Sequence, residues 1–335
     1  MLRPFIEKAE SFQDLTLEEA EQALNVILNE DVSNEDITRL LVSLSEKGET
    51  PHEIAGFARV MRRHARRIAN PHPISIDTAG TGGGGDTFNI STAATFVVSG
   101  AGIPVAKHGN RAITSRSGSA DVLEHLGVPV EVSQKTVERS LAEIGICFMF
   151  APGFHPAMKR VAGIRRQLKR RTIFNLLGPL TNPAGTPFQL IGVYEPELTN
   201  RLAAALCHLG CRRAWIVHSE DGLDELSISA RTQIAEVANG AVTNFRFKPI
   251  ETKLGIPKGG TPQENARLIL GILEGKIQGP GREVVALNAA GALHVAGEKN
   301  FSAAMERAHQ SIDSGAALKK LRQLSEIYGA PDATD

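Results

Sequence analysis

The sequence predicts an α/β protein whose N-terminal part is entirely helical. Residues 1 to about 70 contain helical patterns only, whereas short apolar strands alternate with helices from Ile74 onward. Such alternation is typical of a sheet whose strand ends form a ligand crevice. The 335 residues are enough for a substantial core and for two domains or subdomains.

Helix start signals divide the N-terminal part. Thr16-Leu-Glu-Glu19 is a capping box, and Ser33 is an N-cap before a second helix. Thr50-Pro-His-Glu53 combines an N-cap threonine, a proline at the first helical position and a glutamate three residues after the cap. Asn70-Pro-His-Pro73 then breaks the pattern, so we expect a linker there.

Beyond the linker, the predicted strands are short apolar runs. Asn239-Gly240 between two alternating segments predicts a hairpin turn, and Thr261-Pro-Gln-Glu264 opens a helix with the same cap as Thr50. The strands are expected at Ile74-Ser-Ile-Asp77, Pro104-Val-Ala106, Cys147-Phe-Met-Phe150, Leu190-Ile-Gly-Val193 and Ala214-Trp-Ile-Val217.

Composition narrows the function classes. The formal net charge is zero, which argues against a general nucleic-acid binder. Three cysteines without a Cys-x-x-Cys pattern argue against a disulfide framework and against a structural zinc site. Because there is neither a secretory signal nor an apolar run of about 18 residues, we expect a soluble, cytoplasmic protein with no membrane partner.

A glycine-rich loop is the most informative segment. Five of the six residues from Gly80 to Gly85 are glycine, after a predicted strand and before a predicted helix that opens at Asn89. A backbone without side chains lets N–H groups approach a phosphate, and the helix dipole favours negative charge there. The three features together predict an anion site.

The kind of anion follows from the surrounding charges. Gly80, Gly82 and Gly85 match the dinucleotide pattern, but that fold also needs an acid about 20 residues later. No Asp or Glu occurs from Thr87 to Ala120, and Asp86 stands where a Walker loop requires lysine. These features favour a ligand with several phosphates over a dinucleotide.

Two polar constellations follow predicted strands. Lys107-His-Gly-Asn-Arg111 precedes Thr114-Ser-Arg-Ser-Gly-Ser119, and their cations and hydroxyls can bind phosphate oxygens. The segment from Val217 to Glu225 places four carboxylates just past another strand end. Hard oxygen ligands beside a polyphosphate predict Mg²⁺, held by one or two carboxylates together with phosphates and water.

A third segment, from Ile144 to Tyr194, contains no acid. It could be a nucleic-acid patch, or a helix whose arginines pair with a carboxylate substrate. For most of its cations an exposed helix face is the simpler interpretation. These cations are Lys159, Arg160, Arg165, Arg166, Lys169, Arg170 and Arg171.

Together, the motifs resemble those of the anthranilate phosphoribosyltransferases, which belong to the nucleoside-phosphorylase-like phosphoribosyltransferases. The resemblance spans about residues 5 to 325 and rests on several matches in the right order. They are Gly80-Thr-Gly-Gly83, Thr87-Phe-Asn-Ile-Ser-Thr92, Lys107-His-Gly-Asn-Arg111, Ser117-Gly-Ser-Ala-Asp121, His155-Pro-Ala-Met158, Arg171-Thr-Ile-Phe-Asn-Leu-Leu-Gly-Pro-Leu-Thr-Asn-Pro183 and Asp221-Gly-Leu-Asp-Glu225.

The resemblance implies a small helical dimerisation domain and an α/β domain with a mixed, mostly parallel central sheet. The helical domain would comprise residues 1–72 and a returning segment near 168–188, and the α/β domain residues 73–167 and 189–335. A homodimer that binds anthranilate and phosphoribosyl pyrophosphate, and no nucleic acid, is implied as well. The expected reaction transfers the 5-phosphoribosyl group to the amine of anthranilate, releases pyrophosphate and belongs to tryptophan biosynthesis.

The resemblance also implies the site residues. Ser91, Asp224 and Glu225 would bind Mg²⁺, and the anthranilate side would be lined by Gly80, His108, Asn110, Arg165 and Gly178. Phosphoribosyl pyrophosphate would be bound by Gly80, Gly83, Gly84, Thr87, Asn89, Ile90, Ser91, Thr92, Lys107, His108, Gly109, Asn110, Arg111, Ala112, Ile113, Thr114, Ser115 and Ser119. The loop is one residue shorter than the family pattern. Gly84 stands where an aspartate is expected, and we expect this position to face the metal and pyrophosphate.

Two other functions stay open from the sequence. A nucleoside phosphorylase of the same fold would use phosphate and lack an anthranilate site, which Arg165 with Asn110 argues against. A nucleic-acid-binding relative without activity would need neither Asp224-Glu225 nor the motif that begins at Lys107. In the implied reaction the amine is a neutral nucleophile, so neither a strong general base nor a covalent nucleophile is required.

Overall fold

The computed structural model describes residues 2–29, 31–112, 116–248 and 255–331. These residues form fifteen α-helices, two short 3-10 helices and one seven-stranded sheet. The helices before the first strand are α1 (Arg3–Glu10), α2 (Leu17–Asn29), α3 (Asn34–Lys47) and α4 (Pro51–His64).

The strands and the remaining helices alternate along the rest of the chain. The strands are β1 (Ile76–Gly80), β2 (Val105–Gly109), β3 (Ile146–Phe150), β4 (Phe188–Gly192), β5 (Arg213–Ser219), β6 (Thr232–Ala238) and β7 (Ala241–Phe247). The helices are α5 (Ile90–Gly100), α6 (Ser119–His125), α7 (Gln134–Ile144), α8 (Ala151–Phe154), α9 (Lys159–Leu168), α10 (Phe174–Leu177), α11 (Glu197–His208), α12 (Pro262–Leu273), α13 (Pro280–Val295), α14 (Phe301–Asp313) and α15 (Ala316–Gly329). The 3-10 helices are Pro156–Met158 and Gly178–Leu180.

The predicted helix starts are confirmed by their capping hydrogen bonds. The Ser33 hydroxyl accepts an amide of the first turn of α3. At Thr50 and again at Thr261, the threonine hydroxyl accepts an amide, and the glutamate three residues later accepts the threonine's own amide. Thr16 and Glu19 make the same reciprocal pair before α2. Each of these four helices therefore begins where a side chain within a few residues accepts a hydrogen bond from an N–H group that would otherwise be unpaired.

The sheet has the strand order β3-β2-β1-β4-β5-β6-β7. Strands β1 to β5 pair in parallel, and β6 and β7 join the edge in antiparallel pairings. The mixed, mostly parallel sheet is thus confirmed. The chain leaves β1 towards β2 on one side and later reaches β4 on the other. At such a switch point the loops beyond the strand ends separate and leave a crevice, here beyond Gly80 and Gly192.

The predicted strands are present with one shift. Strand β1 begins at Ile76 rather than Ile74, because its five residues pair in register with all five residues of β4. Ile74 is left 44% exposed ahead of the strand. The predicted hairpin is confirmed between β6 and β7, where Asn239 and Gly240 have φ of 53° and 76°. The type I′ turn, a common two-residue hairpin turn, requires positive φ at both of its central residues.

The two faces of the sheet belong to two hydrophobic cores. Leu190 and Trp215 face the core built with α5, α7 and α12 to α15, whereas their neighbours Ile191 and Ile216 face the core that contains α1 to α4 and α11. Buried side chains from the returning segment, such as Phe174, belong to the second core. Residues such as Ile164 of α9 also pack there. The domain boundaries themselves stay a prediction.

In the described ranges, no helix is both long and apolar enough to cross a membrane.

Glu53 lies at the centre of the helical domain. Its side chain is fully buried, and its carboxylate accepts the amides of Leu15 at 2.9 Å and Thr50 at 2.7 Å. Lys47 Nζ donates to the same carboxylate at 3.0 Å. The segment before α2, the end of α3 and the start of α4 are therefore joined at one side chain.

We expect Glu53→Ala to lower the free energy of unfolding by about 3–5 kcal/mol, because it leaves the amides of Leu15 and Thr50 without their acceptor and removes one of the two carboxylates that pair with the buried Lys47. Glu264→Ala removes the same capping arrangement at an exposed helix start and should have a much smaller effect. Urea unfolding of both variants beside the parent protein measures the difference. Equal losses would show that burial does not determine the importance of Glu53.

Candidate active site

Two loops meet at the switch point of the sheet. The glycine-rich loop, residues 80–85, begins at the last residue of β1 and leads to α5. The acidic loop, residues 220–226, is the first part of the connection from β5 to β6. Both lie beyond the carboxyl ends of β1 and β4. The crevice that the topology predicts therefore contains the two segments that the sequence singles out.

The glycine-rich loop has a backbone that favours glycine. Gly82, Gly83 and Gly85 have φ of 71°, 86° and 61°, values that side chains disfavour. Helix α5 begins at Ile90 as predicted. In its first turn, Thr92 Oγ1 is buried without a hydrogen-bond partner among the described residues. An unpaired hydroxyl at a helix N-terminus fits an anionic ligand.

Glycines of this loop and Gly192 at the end of β4 let the acidic loop lie close to them. A Cβ atom at Gly192 would overlap the carbonyl oxygen of Asp224, and one at Gly84 would lie 2.6 Å from Asp224 Cβ. A Cβ atom at Gly80 would lie 3.4 Å from Asp224 Oδ2. The Thr81 amide donates to Gly192 O at 2.9 Å. The glycine-rich loop, Gly192 and Asp224 thus form one packed unit, which we call the loop interlock.

Lys107 lies on the floor of the crevice and is 3% exposed. Its Nζ donates to Thr78 O and lies 3.5 Å from Ser91 Oγ. Burial lowers the pKa of Lys107, which the negative charges of Asp77 and Glu225 oppose. Burial raises the pKa of Asp77 to about 6, which Lys107 opposes. Sequence reasoning gives Asp77 no role, and its only signal is its position just before the glycine-rich loop.

Asp224 and Glu225 are enclosed by protein but still reach solvent. Burial raises the pKa of Glu225, with further repulsion from Asp224, while the Ser91 amide donates to its carboxylate. Burial also raises the pKa of Asp224. Within the described part of the chain, neither carboxylate forms an ion pair. Two adjacent acids without a direct ion pair among the described residues fit a divalent metal ion.

The number of acidic ligands limits how an ion is held. Among the described residues, no cluster of three or more His, Cys, Asp or Glu side chains is arranged for a metal. Of the other two predicted carboxylates, Glu220 lies 3.4 Å from an Arg246 nitrogen, and Asp221 accepts the Ser227 hydroxyl at 2.6 Å. An ion at Asp224 and Glu225 therefore needs further oxygens from a ligand and from water.

The segment after β2 carries several predicted phosphate ligands. Gly109 ends β2, and a Cβ atom there would overlap Ser119 Oγ. Ser119 Oγ donates to Asn110 O at 3.3 Å. The Ala112 amide donates to Asp121 Oδ2 at 2.9 Å. Three predicted ligands, Ile113, Thr114 and Ser115, lie outside the described residues.

Arg111 is not a free cation. Its Nη1 and Nη2 donate to the two oxygens of Glu124 at 2.6 and 2.8 Å, and Nη1 lies 3.3 Å from Asp121 Oδ1. Asp121 and Glu124 come just after the stretch from Thr87 to Ala120, which contains no acid. The Arg111 guanidinium would have to leave these carboxylates to reach a phosphate.

A buried histidine pair lies where β2 meets the returning segment. His108 Nδ1 lies 3.1 Å from Gly178 O, and burial lowers the pKa of His108 to about 3. Because a carbonyl only accepts, Nδ1 carries the proton, and Nε2 keeps a lone pair with no partner among the described residues. The ring of His155 lies 5.0 Å from that of His108. The motif of His155 is visible in the sequence, but sequence reasoning gives the residue no role.

Arg165 has no acidic partner among the residues that the structure describes. Its Cζ lies 5.6 Å from the ring centroid of Phe174, and burial lowers its pKa. Within the described residues it has neither an ion pair nor a hydrogen bond. A partly buried, unpaired guanidinium fits a carboxylate ligand.

Three other cations of the basic segment contact the protein itself. Arg160 donates to Asn34 Oδ1 at 3.1 Å, and Arg170 donates to Glu46 at 3.1 Å. The Arg171 Cζ lies 3.4 Å from the ring centroid of Tyr194. Arg160 and Arg170 therefore bind α9 and the returning segment to the helical part of the chain.

Two family models match the chain. The model described as "Glycosyl transferase family, helical bundle domain" matches residues 3–65, and "Glycosyl transferase family, a/b domain" matches residues 72–318. The anthranilate phosphoribosyltransferase of Pelotomaculum thermopropionicum is 48% identical over 340 residues, which cover 98% of this chain and 97% of that protein.

Solved structures agree with the sequence relatives. The anthranilate phosphoribosyltransferase of Thermus thermophilus is 40% identical, with a TM-score of 0.89 over 97% of this chain and 99% of that one. The Saccharomyces cerevisiae enzyme, in complex with PRPP (phosphoribosyl pyrophosphate) and Mg, is 30% identical, with a TM-score of 0.88 over 98% of each chain. A further complex of the yeast enzyme, 28% identical over 98% of each chain with a TM-score of 0.86, contains 4-fluoroanthranilate.

The loop interlock predicts different outcomes for two glycine-to-alanine variants. Gly84→Ala places a methyl group against Asp224 and should lower the free energy of unfolding by about 1–3 kcal/mol. Gly163→Ala, on α9 where a Cβ atom meets nothing within 4 Å, should be neutral or slightly stabilising. Thermal unfolding of the two variants measures this contrast. If Gly84→Ala is as stable as Gly163→Ala, the loops do not pack as described.

Proposed function

The chain belongs to the anthranilate phosphoribosyltransferase family, and from that membership we propose which of its residues carry out the reaction. The enzyme transfers the 5-phosphoribosyl group of phosphoribosyl pyrophosphate to the amine of anthranilate. The products are N-(5-phosphoribosyl)anthranilate and pyrophosphate, in L-tryptophan biosynthesis. One observation carries the assignment of residues: the glycine-rich loop, which has the form of a phosphate-binding loop, packs directly on Asp224, the first residue of the Asp224-Glu225 pair.

The phosphoribosyl pyrophosphate is assigned to the glycine-rich loop, the start of α5 and the segment after β2. Exposed loop amides and the unpaired Thr92 hydroxyl supply hydrogen-bond donors. Lys107 supplies a positive charge from the floor of the crevice. Ser91 lies between Lys107 and Glu225, because its hydroxyl is near Lys107 Nζ and its amide contacts the Glu225 carboxylate.

Asp224 and Glu225, with Ser91, are the residues that would hold Mg²⁺. When bound, the ion supplies positive charge beside the departing pyrophosphate. The carboxylates fit this role because they are adjacent in the chain and form no direct ion pair in the described residues, and because Asp224 packs against the glycine-rich loop. Their position beside Gly84 and Gly80 is fixed by the loop interlock.

Anthranilate is assigned to the side of the crevice formed by His108, Asn110, Gly178 and Arg165, next to Gly80. Arg165 would pair with the carboxylate of anthranilate, because no acid of the described chain neutralises it. The free Nε2 of His108 can accept a hydrogen bond from the amine. Such contacts orient the amine lone pair towards the ribose.

The transfer needs electrostatic stabilisation and positioning rather than covalent catalysis. As the bond from the anomeric carbon to pyrophosphate breaks, negative charge grows on the leaving group, and Lys107 with the first-turn amides of α5 stabilises it. The amine then forms the new bond to the anomeric carbon with its own lone pair, and the proton that it loses passes to solvent water. Holding the amine close to the anomeric carbon supplies much of the remaining rate.

Two alternatives are less well supported. A nucleoside phosphorylase would leave the unpaired Arg165 guanidinium without a function. A nucleic-acid binder would not need the Asp224-Glu225 pair, and Arg160 and Arg170 of the basic segment contact the helical part of the chain. Formation of a homodimer through the helical domain and a cytoplasmic location are further parts of the proposal, and both rest on the family resemblance.

The assignment of the reaction is tested with the purified protein. Loss of anthranilate fluorescence should require both phosphoribosyl pyrophosphate and Mg²⁺, and pyrophosphate should appear in equal amount. Consumption of a nucleoside with inorganic phosphate, without loss of anthranilate, would favour the phosphorylase instead.

The double variant Asp224→Asn with Glu225→Gln should lose turnover by at least about a hundredfold, because the leaving pyrophosphate loses its counter-charge. Initial rates across a Mg²⁺ titration measure the loss, and thermal unfolding checks the fold. Glu220→Gln changes an exposed acid of the same loop and should retain parental rates. Parental turnover of the double variant at limiting Mg²⁺ would remove these residues from the metal site.

Arg165→Ala should raise the KM for anthranilate by about ten- to a hundredfold, because it removes a charge-assisted contact worth about 1.5–3 kcal/mol. The KM for phosphoribosyl pyrophosphate should change much less. Arg166→Ala is the matched control, since Arg166 is the next residue and is exposed. Similar increases in both KM values for Arg165→Ala would contradict its assignment to anthranilate.

A further inference from the structure

Two buried asparagines of the C-terminal helices contact the loops of the site. Asn265 in α12 is 3% exposed, and Asn288 in α13 is 1% exposed. A buried amide side chain costs free energy unless its donors and acceptor are paired. The partners of each asparagine therefore show what it holds in place.

Asn265 holds the residue that precedes α5. Its Nδ2 donates to Asn89 Oδ1 at 3.0 Å, and its Oδ1 accepts the Gly260 amide at 2.8 Å. Asn89 Oδ1 also accepts the Ser117 hydroxyl at 3.1 Å, and Asn89 Nδ2 donates to Ser117 O at 3.0 Å. Asn265 thus fixes the side chain that joins the start of α5 to the segment after β2.

The backbone before α12 also contacts the residues that lie between the glycine-rich loop and α5. The Gly259 amide donates to Asp86 O at 2.9 Å, and Lys258 pairs with Thr87 in an antiparallel bridge. A Cβ atom at Gly259 would overlap the carbonyl oxygen of Thr87. The segment that leads to Asn265 is therefore packed along the exit of the glycine-rich loop.

Asn288 holds the acidic loop. Its Oδ1 accepts the Leu226 amide at 2.9 Å, and its Nδ2 donates to Leu226 O at 2.9 Å and to Val284 O at 2.9 Å. Leu226 directly follows Glu225, so both backbone polar groups next to that carboxylate are fixed by one side chain. The hydrogen bonds of Asn288 do not include any residue of α5.

We propose that Asn265 and Asn288 are positioning residues that set the two halves of the site separately. Asn265 orients Asn89 and the first turn of α5 for the phosphate groups. Asn288 holds the acidic loop where Asp224 and Glu225 can bind a divalent cation. The inference rests on the proposed function. It adds that phosphate binding depends on Asn265, whereas the dependence on the divalent cation is set by Asn288.

Aspartate variants test this division because they preserve size and one acceptor. Asn265→Asp should raise the KM for phosphoribosyl pyrophosphate about tenfold at saturating Mg²⁺, the effect of one buried hydrogen bond. Its Mg²⁺ half-saturation and its KM for anthranilate should stay within about twofold of the parent. Asn288→Asp should raise the Mg²⁺ half-saturation about tenfold and leave the KM for phosphoribosyl pyrophosphate at saturating Mg²⁺ within about twofold.

A binding measurement reports the same division without turnover. Calorimetry with phosphoribosyl pyrophosphate at saturating and at limiting Mg²⁺ should show weakened binding for Asn265→Asp at both concentrations. Asn288→Asp should show it only at limiting Mg²⁺. Asn265→Ala and Asn288→Ala, which add no charge, should give the same two patterns. Asn244→Asp, at an exposed position of β7, is the matched control and should match the parent.

Several outcomes would overturn the proposal. Parallel changes of both constants in both variants would mean that the asparagines stabilise the fold as a whole. The same holds if each activity loss equals the fraction unfolded at the assay temperature, which thermal unfolding gives. An inactive parent and an inactive Asn244→Asp would instead contradict the proposed function. An active parent with undivided effects contradicts only the role of Asn265 and Asn288.

Discussion

The close approach of the acidic loop to the end of β4 is the constraint on which the rest of the site depends. No Cβ atom fits at Gly192 beside the carbonyl of Asp224, and Gly80 and Gly84 close around the same residue. The acidic loop can therefore lie against the glycine-rich loop. The glycines admit Asp224, and in the proposed function they also leave amide groups free for an anion.

The interlocked loops leave polar groups that the described chain does not neutralise. Asp224 and Glu225 have no ion pair, Arg165 has no acid, and the Thr92 hydroxyl has no acceptor. Enclosed groups of this kind cost free energy until they are paired. The missing partners are a cation, a carboxylate and phosphate oxygens. A magnesium complex of phosphoribosyl pyrophosphate together with anthranilate contains all three.

Short-range features of this fold could be predicted from the sequence, because few neighbouring residues determine them. The caps at Thr50 and Thr261 and the hairpin at Asn239 are of this kind. The start of β1 could not be predicted, because its register depends on pairing with a strand far along the chain. By sequence alone Arg111 belongs to the cations of the anion site, whereas tertiary structure pairs it with Glu124.

The candidate site shows the same limit. The glycine-rich loop and Asp224-Glu225 are visible because their composition is unusual within a few residues. Asp77, Asn265 and Asn288 are ordinary polar residues in the sequence, and they gain significance only when folding buries them against the site. No pattern within α12 or α13 indicates which loop its asparagine contacts. Such positions require the tertiary contacts to be known.

The two substrates are assigned to parts of the chain with different cores. The loops assigned to phosphoribosyl pyrophosphate extend from the sheet, whereas Arg165 lies on α9, and the neighbouring Ile164 and Phe174 pack with the N-terminal helices. Gly178 connects the two parts through its contact with His108. Transfer requires the amine and the anomeric carbon to lie about 3–3.5 Å apart. Under this assignment, the packing of the returning segment on the helical core helps to set that distance.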